Sequence, residues 1–193
     1  MVSMKSPQEF RFNSGRLALD LPATVRRRAS EPDDVLASPG APARWLRDAA
    51  LLTHLPDLSV TQETALLELR ETIWSLADAL IRGAKLPTEV VDRLNAVAAG
   101  PAPIPQLDAA SLTVYRNVDD PVQAALTIIA QDAVDLLGGP LRSRIKACSQ
   151  PDCRMLFLDT SPSMRRRWCS MDRCGSRAKG AKFRQRLKNS SLT

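Results

Sequence analysis

CSQPDCRMLFLDTSPSMRRRWCSMDRC, residues Cys148 to Cys174, is the stretch that decides how the C-terminal part of this chain folds. It holds all four cysteines of the 193-residue sequence, in the pairs Cys148/Cys153 and Cys169/Cys174. Each pair has four residues between its members, and fifteen residues separate the pairs. Two cysteine-bearing turns brought together by the segment between them supply four thiolates at tetrahedral corners. This pattern predicts one structural zinc ion.

Two disulfides are a competing interpretation, and they need an oxidising compartment. Residues 1–9 lack the apolar core of a signal peptide, and no apolar stretch is long enough to span a bilayer. We therefore expect a cytoplasmic protein with reduced thiols and no membrane contact. An iron–sulfur cluster, whose usual cysteine spacings are closer, and unligated thiols stay open as alternatives. Because the single histidine, His54, is far away in sequence, the predicted zinc site is closed and structural, not catalytic.

Charge divides the chain into two parts of opposite sign. Residues 141–193 carry 14 Lys and Arg against three acidic residues, whereas residues 1–140 carry 13 basic and 18 acidic residues. A basic surface around a zinc site predicts a polyanion as partner, because each cation placed on a phosphate releases a condensed counterion. DNA is the expected partner, and a merely solvated basic face is the alternative. The acidic part is not expected to lie on DNA.

Two other functions stay open beside DNA binding. A protein-interaction adaptor would use the zinc finger to grip an acidic protein surface. An RNA-binding protein is the other alternative, although an aromatic content of 4% is low for base stacking. No group of residues in the chain forms a catalytic pattern, so no enzyme is predicted.

Helical periodicity dominates residues 1–140 and predicts a mainly α fold with a small antiparallel β element, an α+β arrangement. Capping residues and apolar spacing predict helices over 44–53, 59–83, 88–100 and 121–137. Alternating apolar residues around Ser14-Gly15 predict a short β-hairpin, and residues 112–115 predict a strand that could pair with it. Gly138-Gly139-Pro140 ends the last helix and marks a predicted domain boundary.

The predicted division is a helical domain at 1–140, a zinc finger at 141–188 and a disordered tail at 189–193. The finger is near the size at which a domain depends on a metal, so we expect zinc binding and folding to be one event there. The helical domain is large enough for a core of its own. We expect it to be the sensing or partner-binding half, taking a protein or a small-molecule effector.

Basic residues of the finger are the candidate nucleic-acid contacts. A helix over 177–188 would place Phe183 and Leu187 one turn apart, as a narrow apolar stripe that docks on the zinc core. Its cations would then face partly outward, and the arginines before Trp168 would add charge for phosphates. Trp168 is expected to cover the metal site, with base stacking as the alternative. The predicted contacts are Arg165, Arg166, Arg167, Arg177, Lys179, Lys182, Arg184 and Arg186.

The run from Arg144 to Arg186 closely resembles the CGNR-type zinc finger found at the C-terminus of bacterial proteins described as stress-induced transcription regulators. FNSGRLALDL, residues 12–21, resembles the opening motif of the ABATE domain that precedes this finger in those proteins, and LASPGAPARWLRDAALL, residues 36–52, resembles its first helical region. The resemblance implies a zinc finger that binds DNA in a transcription regulator. It also implies that the zinc ligands are Cys148, Cys153, Cys169 and Cys174.

Two departures from the family pattern bear on recognition. The naming motif reads Cys174-Gly175-Ser176-Arg177, with Ser in place of the usual Asn. The N-terminal motif continues Leu21-Pro22-Ala23-Thr24, where relatives tend to have an aromatic residue and an Asn before the Thr. Because Ser is shorter than Asn and offers one donor, a base contact made by that Asn could be lost. Metal binding is expected to survive.

Overall fold

The computed structural model describes residues 10–190, and within that range the chain forms six α-helices and three two-stranded antiparallel sheets. The helices are α1 (Leu17–Asp20), α2 (Ala41–Asp48), α3 (Val60–Ile81), α4 (Thr88–Ala98), α5 (Pro121–Gly138) and α6 (Ser176–Ser190). The sheets pair β1 (Val25–Arg26) with β2 (Asp33–Asp34), β3 (Ile104–Leu107) with β4 (Val114–Asn117), and β5 (Ile145–Ala147) with β6 (Leu156–Leu158). A mainly helical region is thus followed by the four-cysteine segment, which confirms the predicted fold class.

The two longest helices begin and end where their capping residues predict. The Ser59 hydroxyl accepts a hydrogen bond from the Gln62 N–H, and the Gln62 side chain accepts one from the Ser59 N–H. Gly83, with φ of 65°, follows the end of α3 in the left-handed conformation. Asp120 caps α5 by accepting from the N–H groups of Val122 and Gln123.

The main core lies between α3, α4 and α5, with α1 and α2 packed against them. Its largest fully buried side chains include Trp45, Leu66, Ile73, Leu126 and Ile129. The helices predicted over 44–53 and 88–100 correspond to α2 and α4, although α2 begins three residues earlier and ends five residues earlier than predicted. Proline in its first turn, after the left-handed Gly40, explains the earlier start of α2.

The predicted hairpin around Ser14-Gly15 is wrong, because the chain forms a tight turn followed by the short helix α1. Leu17 and Leu21, four residues apart, pack into the main core, whereas Leu19 points into a second core. The alternating leucines therefore belong to a helical turn that is buried on two sides, and not to a strand. Asp132 of α5 fixes this turn by accepting the Ala18 N–H at 2.8 Å and pairing with Arg16 at 2.6 Å.

The strand predicted at residues 112–115 exists, as β4, but its partner differs from the predicted one. It pairs with β3, which overlaps a segment with prolines at positions 101, 103 and 105. The whole of β3 is exposed, so Pro105 occupies a strand that pairs on one side alone. Among the described residues, the segment around Ser14-Gly15 therefore contributes no strand to this sheet.

A second core joins the helices to the cysteine-bearing segment. It is formed by Leu19, Ala77 of α3, Leu136 of α5 and three hairpin residues, Ile145, Leu156 and Leu158. The division proposed at residue 140 stays a prediction, but the apolar contacts across it are extensive. The tail predicted from Asn189 is helical at its first two residues, and residues 191–193 lie outside the described range.

None of the helices in residues 10–190 combines the length and apolar character needed to cross a membrane.

Candidate metal centre

The four cysteines come from two turns that the backbone holds against each other. Cys148 directly follows β5, and its N–H donates to the Met155 carbonyl at 2.9 Å. Cys153 closes the first turn just before β6, and Cys174 lies in a π-helical turn, Met171–Gly175. The Gln150 side chain donates to the Cys174 carbonyl at 2.8 Å and so ties the first turn to the second.

The sulfur atoms form a compact cluster suited to one zinc ion. All four lie within 4.8 Å of one another, and none is in a disulfide. Zinc–sulfur bonds of about 2.3 Å at tetrahedral corners require sulfur–sulfur distances of about 3.8 Å. The Cys153–Cys169 and Cys169–Cys174 sulfurs are 3.7 Å and 3.6 Å apart. The predicted zinc-finger cofactor therefore fits the donors that the fold brings together.

Electrostatics within the cluster favours a bound cation. Hydrogen bonds from the Cys153 and Cys169 thiols lower the pKa of Cys148 to about 2. The hydrogen bond to Cys148 raises the pKa of Cys153 to about 12, and hydrogen bonds to Cys148 and Cys153 raise that of Cys169. One thiolate thus opposes ionisation of its neighbours, whereas a bound divalent cation would favour thiolates at all four positions.

Strand β6 places alternate side chains on two different cores. Leu156 and Leu158 face the helices, whereas the fully buried Phe157 packs against the cysteine cluster with Met155 and Ala23. Trp168 also packs there, as predicted. These side chains pack around Cys148, Cys169 and Cys174, which are all buried.

Arg166 supports this arrangement from outside. Its guanidinium lies 4.6 Å from the centre of the Phe157 ring, and its Nε donates to the Trp168 carbonyl at 2.9 Å. A second donor of the same guanidinium reaches the Cys169 carbonyl. Half-buried in these contacts, Arg166 positions the second cysteine turn.

A buried carboxylate that was not singled out from the sequence organises the loop between the turns. Asp159 accepts hydrogen bonds from Lys146 at 2.6 Å, from the Ser161 hydroxyl at 2.6 Å and from the Arg166 N–H at 2.9 Å. Burial by itself would raise the pKa of Asp159, but the hydrogen bonds from Lys146 and Ser161 hold it well below its ordinary value. The segment DTSPS, residues 159–163, forms this loop.

The predicted nucleic-acid contacts fall into two groups. Arg177 pairs with Asp152 through two hydrogen bonds of 2.8 and 2.9 Å and, like Arg166, is engaged within the finger. The others are exposed, and they are Arg165, Arg167, Lys179, Lys182, Arg184 and Arg186.

The apolar stripe of α6 does not dock on the zinc core, so this prediction is wrong. Phe183 is 62% exposed and Leu187 is 53% exposed. The positions that such a stripe would fill are taken by Phe157, Met155 and Trp168. The helix instead continues from the second cysteine turn, where the Ser176 hydroxyl donates to the Met171 carbonyl at 3.0 Å.

Two residues whose side chains could take part in catalysis, His54 and Asp20, lie outside the cysteine cluster. His54 is exposed in a loop. Asp20 is buried and accepts the Ser14 N–H at 3.0 Å, so it stabilises the turn before α1. Neither residue joins the cysteine cluster.

Two family models match the chain over nearly its whole length. The ABATE model, described as "Putative stress-induced transcription regulator", matches residues 15–140, and the CGNR zinc finger model matches residues 144–187. A search of curated proteins finds no match. Both family descriptions are of regulator and zinc-finger types and not of enzymes. The chain therefore belongs to the ABATE family, with a CGNR zinc finger following its ABATE region.

Proposed function

We propose that this protein is a transcription regulator that binds DNA through its zinc finger and performs no chemistry itself. Cys148, Cys153, Cys169 and Cys174 ligate one structural zinc ion, which holds the two cysteine turns together. The family match supports a regulator, and the compact sulfur cluster supports the ligand set. Four thiols without a disulfide also fit a reducing compartment such as the cytoplasm.

The observation that carries DNA binding is the composition and setting of α6. Its fifteen residues include no acidic side chain. Lys179, Lys182 and Arg186 are exposed and spaced three and four residues apart, so they share one face of the helix. A row of cations on a projecting helix suits successive phosphates of a duplex.

Other cations of the finger extend this surface. Arg165 and Arg167 are exposed on the loop before the second cysteine turn, and we assign phosphate contacts to them. Arg184, also predicted as a contact, is exposed on a different face of α6 from the row of cations and is not assigned to DNA. Arg166 and Arg177, predicted as contacts from the sequence, serve instead to position the loop and the start of α6 through the bonds described above.

Salt-dependent binding of the full zinc-loaded chain to a duplex tests this proposal. If six phosphates are engaged, the logarithm of the affinity should fall with the logarithm of salt concentration with a slope of about −5. Replacing both Lys179 and Lys182 with Gln should reduce that slope by about two. Arg93→Gln on α4 removes the same kind of charge elsewhere and should leave the slope unchanged. Absence of duplex binding at low salt would refute the proposal.

A protein-interaction adaptor is the second candidate, and the exposed apolar residues of α6 favour it. Phe183 and Leu187 of α6, and Met171 of the turn before it, all expose more than half of their surface. An adaptor would bind an acidic protein through these residues and would show no duplex affinity. Testing an RNA duplex of equal length beside the DNA separates the third alternative.

A further inference from the structure

A cleft of about 680 Å³ opens between the N-terminal segment, the second cysteine turn and α6. This size is in the range of sites that take small organic ligands. Three separate parts of the chain line the cleft with guanidinium groups. These belong to Arg11, Arg26, Arg27, Arg173, Arg177 and Arg184.

The guanidinium groups are close enough to repel one another. The pKa of the half-buried Arg11 is lowered, first by burial and then by the positive charges of Arg26 and Arg173. Like charges brought together and withdrawn from water cost stability unless an anion offsets them. Crowding of this kind is a feature of sites that bind oxyanions.

Most of these arginines make no polar side-chain contact inside the protein. Within the part of the chain that the structure describes, the side chains of Arg11, Arg27, Arg173 and Arg184 make no hydrogen bond or ion pair. Neighbouring arginines behave differently. Arg28 forms a two-bond ion pair with Glu71, and Arg70 forms one with Asp34.

The backbone at Arg27 adds a second kind of observation. Its φ is 51°, in the left-handed region where glycine and asparagine are favoured. An arginine kept in this conformation, on the turn after β1, faces the cleft at a small cost in backbone energy. Backbone strain of this kind concentrates at functional sites.

Guanidinium groups outnumber the carboxylates that line the cleft. Arg177 is already paired with Asp152 and Arg26 also has a partner, which leaves four guanidinium groups beside the carboxylates of Asp33 and Asp172. Sulfur-bearing residues of the metal centre form part of the wall, and a zinc ion with four thiolates would offset positive charge there with a net charge of about −2. The hydrogen-bond donors of the four arginines therefore remain for a ligand.

We propose that this cleft binds a small organic anion through a phosphate or carboxylate group held by arginine side chains. Guanidinium forks bind both oxyanions with paired hydrogen bonds. The stems of the arginines and Met155 offer apolar surface to the rest of the ligand. The site does not depend on DNA binding.

The position of the cleft indicates how a ligand would act on the protein. Arg177, Gly180 and Arg184 line it from α6, and their spacing of three and four residues puts them on a different face from Lys179, Lys182 and Arg186. A bound anion would connect that inner face of α6 to the N-terminal segment. Its occupancy would set the position of the helix that we assign to DNA.

Calorimetric titration of the full zinc-loaded chain tests the site directly. Phenyl phosphate and benzoate carry the two candidate oxyanions on the same ring, and benzyl alcohol is the neutral comparison. We expect at least one anion to bind once per chain and benzyl alcohol not to bind. Arg11→Gln and Arg27→Gln should each weaken binding by about tenfold or more. Arg93→Gln is the matched control and should bind as the unaltered protein does.

The proposal is wrong if neither anion binds, if both arginine variants bind the anions normally, or if Arg93→Gln weakens binding as much as they do. If small anions do not bind but Arg11→Gln and Arg27→Gln weaken duplex binding, the cleft is part of the DNA surface and the proposal fails. Replacing Lys179 and Lys182 with Gln should leave anion binding intact, so failure of the DNA proposal is seen separately.

Discussion

Arg154 of the zinc finger donates a hydrogen bond of 2.7 Å from its Nη2 to Oδ1 of Asp78 on α3. The Asp78 side chain is 8% exposed and that of Arg154 is 42% exposed. Arg154 directly follows Cys153 and has a left-handed backbone with φ of 52°. The residue beside a proposed zinc ligand is thus fastened to the helical core.

We expect this pair to couple the finger to α3. A double-mutant cycle with Arg154→Gln and Asp78→Asn should give an interaction free energy of about 1 kcal/mol, because one partner is buried and the other half-exposed. Urea unfolding of the four proteins measures it. The exposed neighbours Arg47 and Asp48 are the comparison pair and should couple by less than about 0.5 kcal/mol. Equal coupling in the two cycles would contradict the prediction.

The second core predicts that the finger and the helices unfold together. Leu156→Ala removes a fully buried side chain that packs between β5, α3 and α5, and should cost about 2–5 kcal/mol. Circular dichroism and tryptophan fluorescence should report one urea transition, shifted to lower concentration. Leu187→Ala, at an exposed site on α6, should change stability by less than about 0.5 kcal/mol. Two separate transitions would show that the finger is independent.

Gly15 is a position where a methyl group should be poorly tolerated. Its φ is 93°, and an added Cβ would lie 3.2 Å from Cβ of Leu158, whose N–H donates to the Ser14 carbonyl at 2.7 Å. Gly15→Ala should therefore destabilise the protein by about 1–3 kcal/mol. Gly138→Ala is the matched control, since no atom lies within 4 Å of its added Cβ. A thermal unfolding midpoint lowered equally in both variants would argue against this contact.

How much could be predicted from the sequence depended on whether a signal was local. The Ser59 box, the Asp120 cap and the cysteine spacing act within a few residues, and the structure has each of them as predicted. The turn at Gly15 was wrongly predicted to be a β-hairpin because Leu17 and Leu21 pack into one core and Leu19 into another. The second core forms only when β6 packs against the helices. Long-range packing of this kind leaves no local pattern.

The same limit applies to the basic surface. Charge counting located the cations of α6 but did not single out the arginines at 26–28. In the structure Arg28 pairs with Glu71, and Arg26 and Arg27 line the cleft beside the second cysteine turn. Their approach to Arg173 depends on how the N-terminal segment crosses the finger. No spacing within the sequence encodes that crossing.

Asp20 should give stability a measurable pH dependence. Burial raises its pKa, although the hydrogen bond from the Ser14 N–H opposes this. A carboxyl group with a raised folded pKa favours folding below its ordinary value of about 4, and this contribution is lost as pH rises through the folded value. Asp20→Asn keeps an oxygen acceptor and lacks the ionisation, so its stability relative to the unaltered protein should rise as pH increases above about 4.

Asp20→Leu separates the hydrogen bond from the charge. It leaves the Ser14 N–H buried without its acceptor and should cost about 1–3 kcal/mol at every pH. Subtracting the unfolding free energies of variant and parent at each pH cancels the groups that they share. A difference between Asp20→Asn and the parent that does not vary with pH would mean that the carboxyl group titrates normally.

Cys169→Ser should abolish zinc binding, because the Cys169 sulfur lies between those of Cys153 and Cys174 and a serine hydroxyl is a poor zinc ligand. Metal analysis should find one zinc per parent chain and much less in the variant. The thermal midpoint should fall as well, since Phe157 and Trp168 pack on the same cluster. Ser170→Ala, at the next residue, should keep one zinc. Iron with acid-labile sulfide in the parent, or a full zinc content in Cys169→Ser, would refute the ligand assignment.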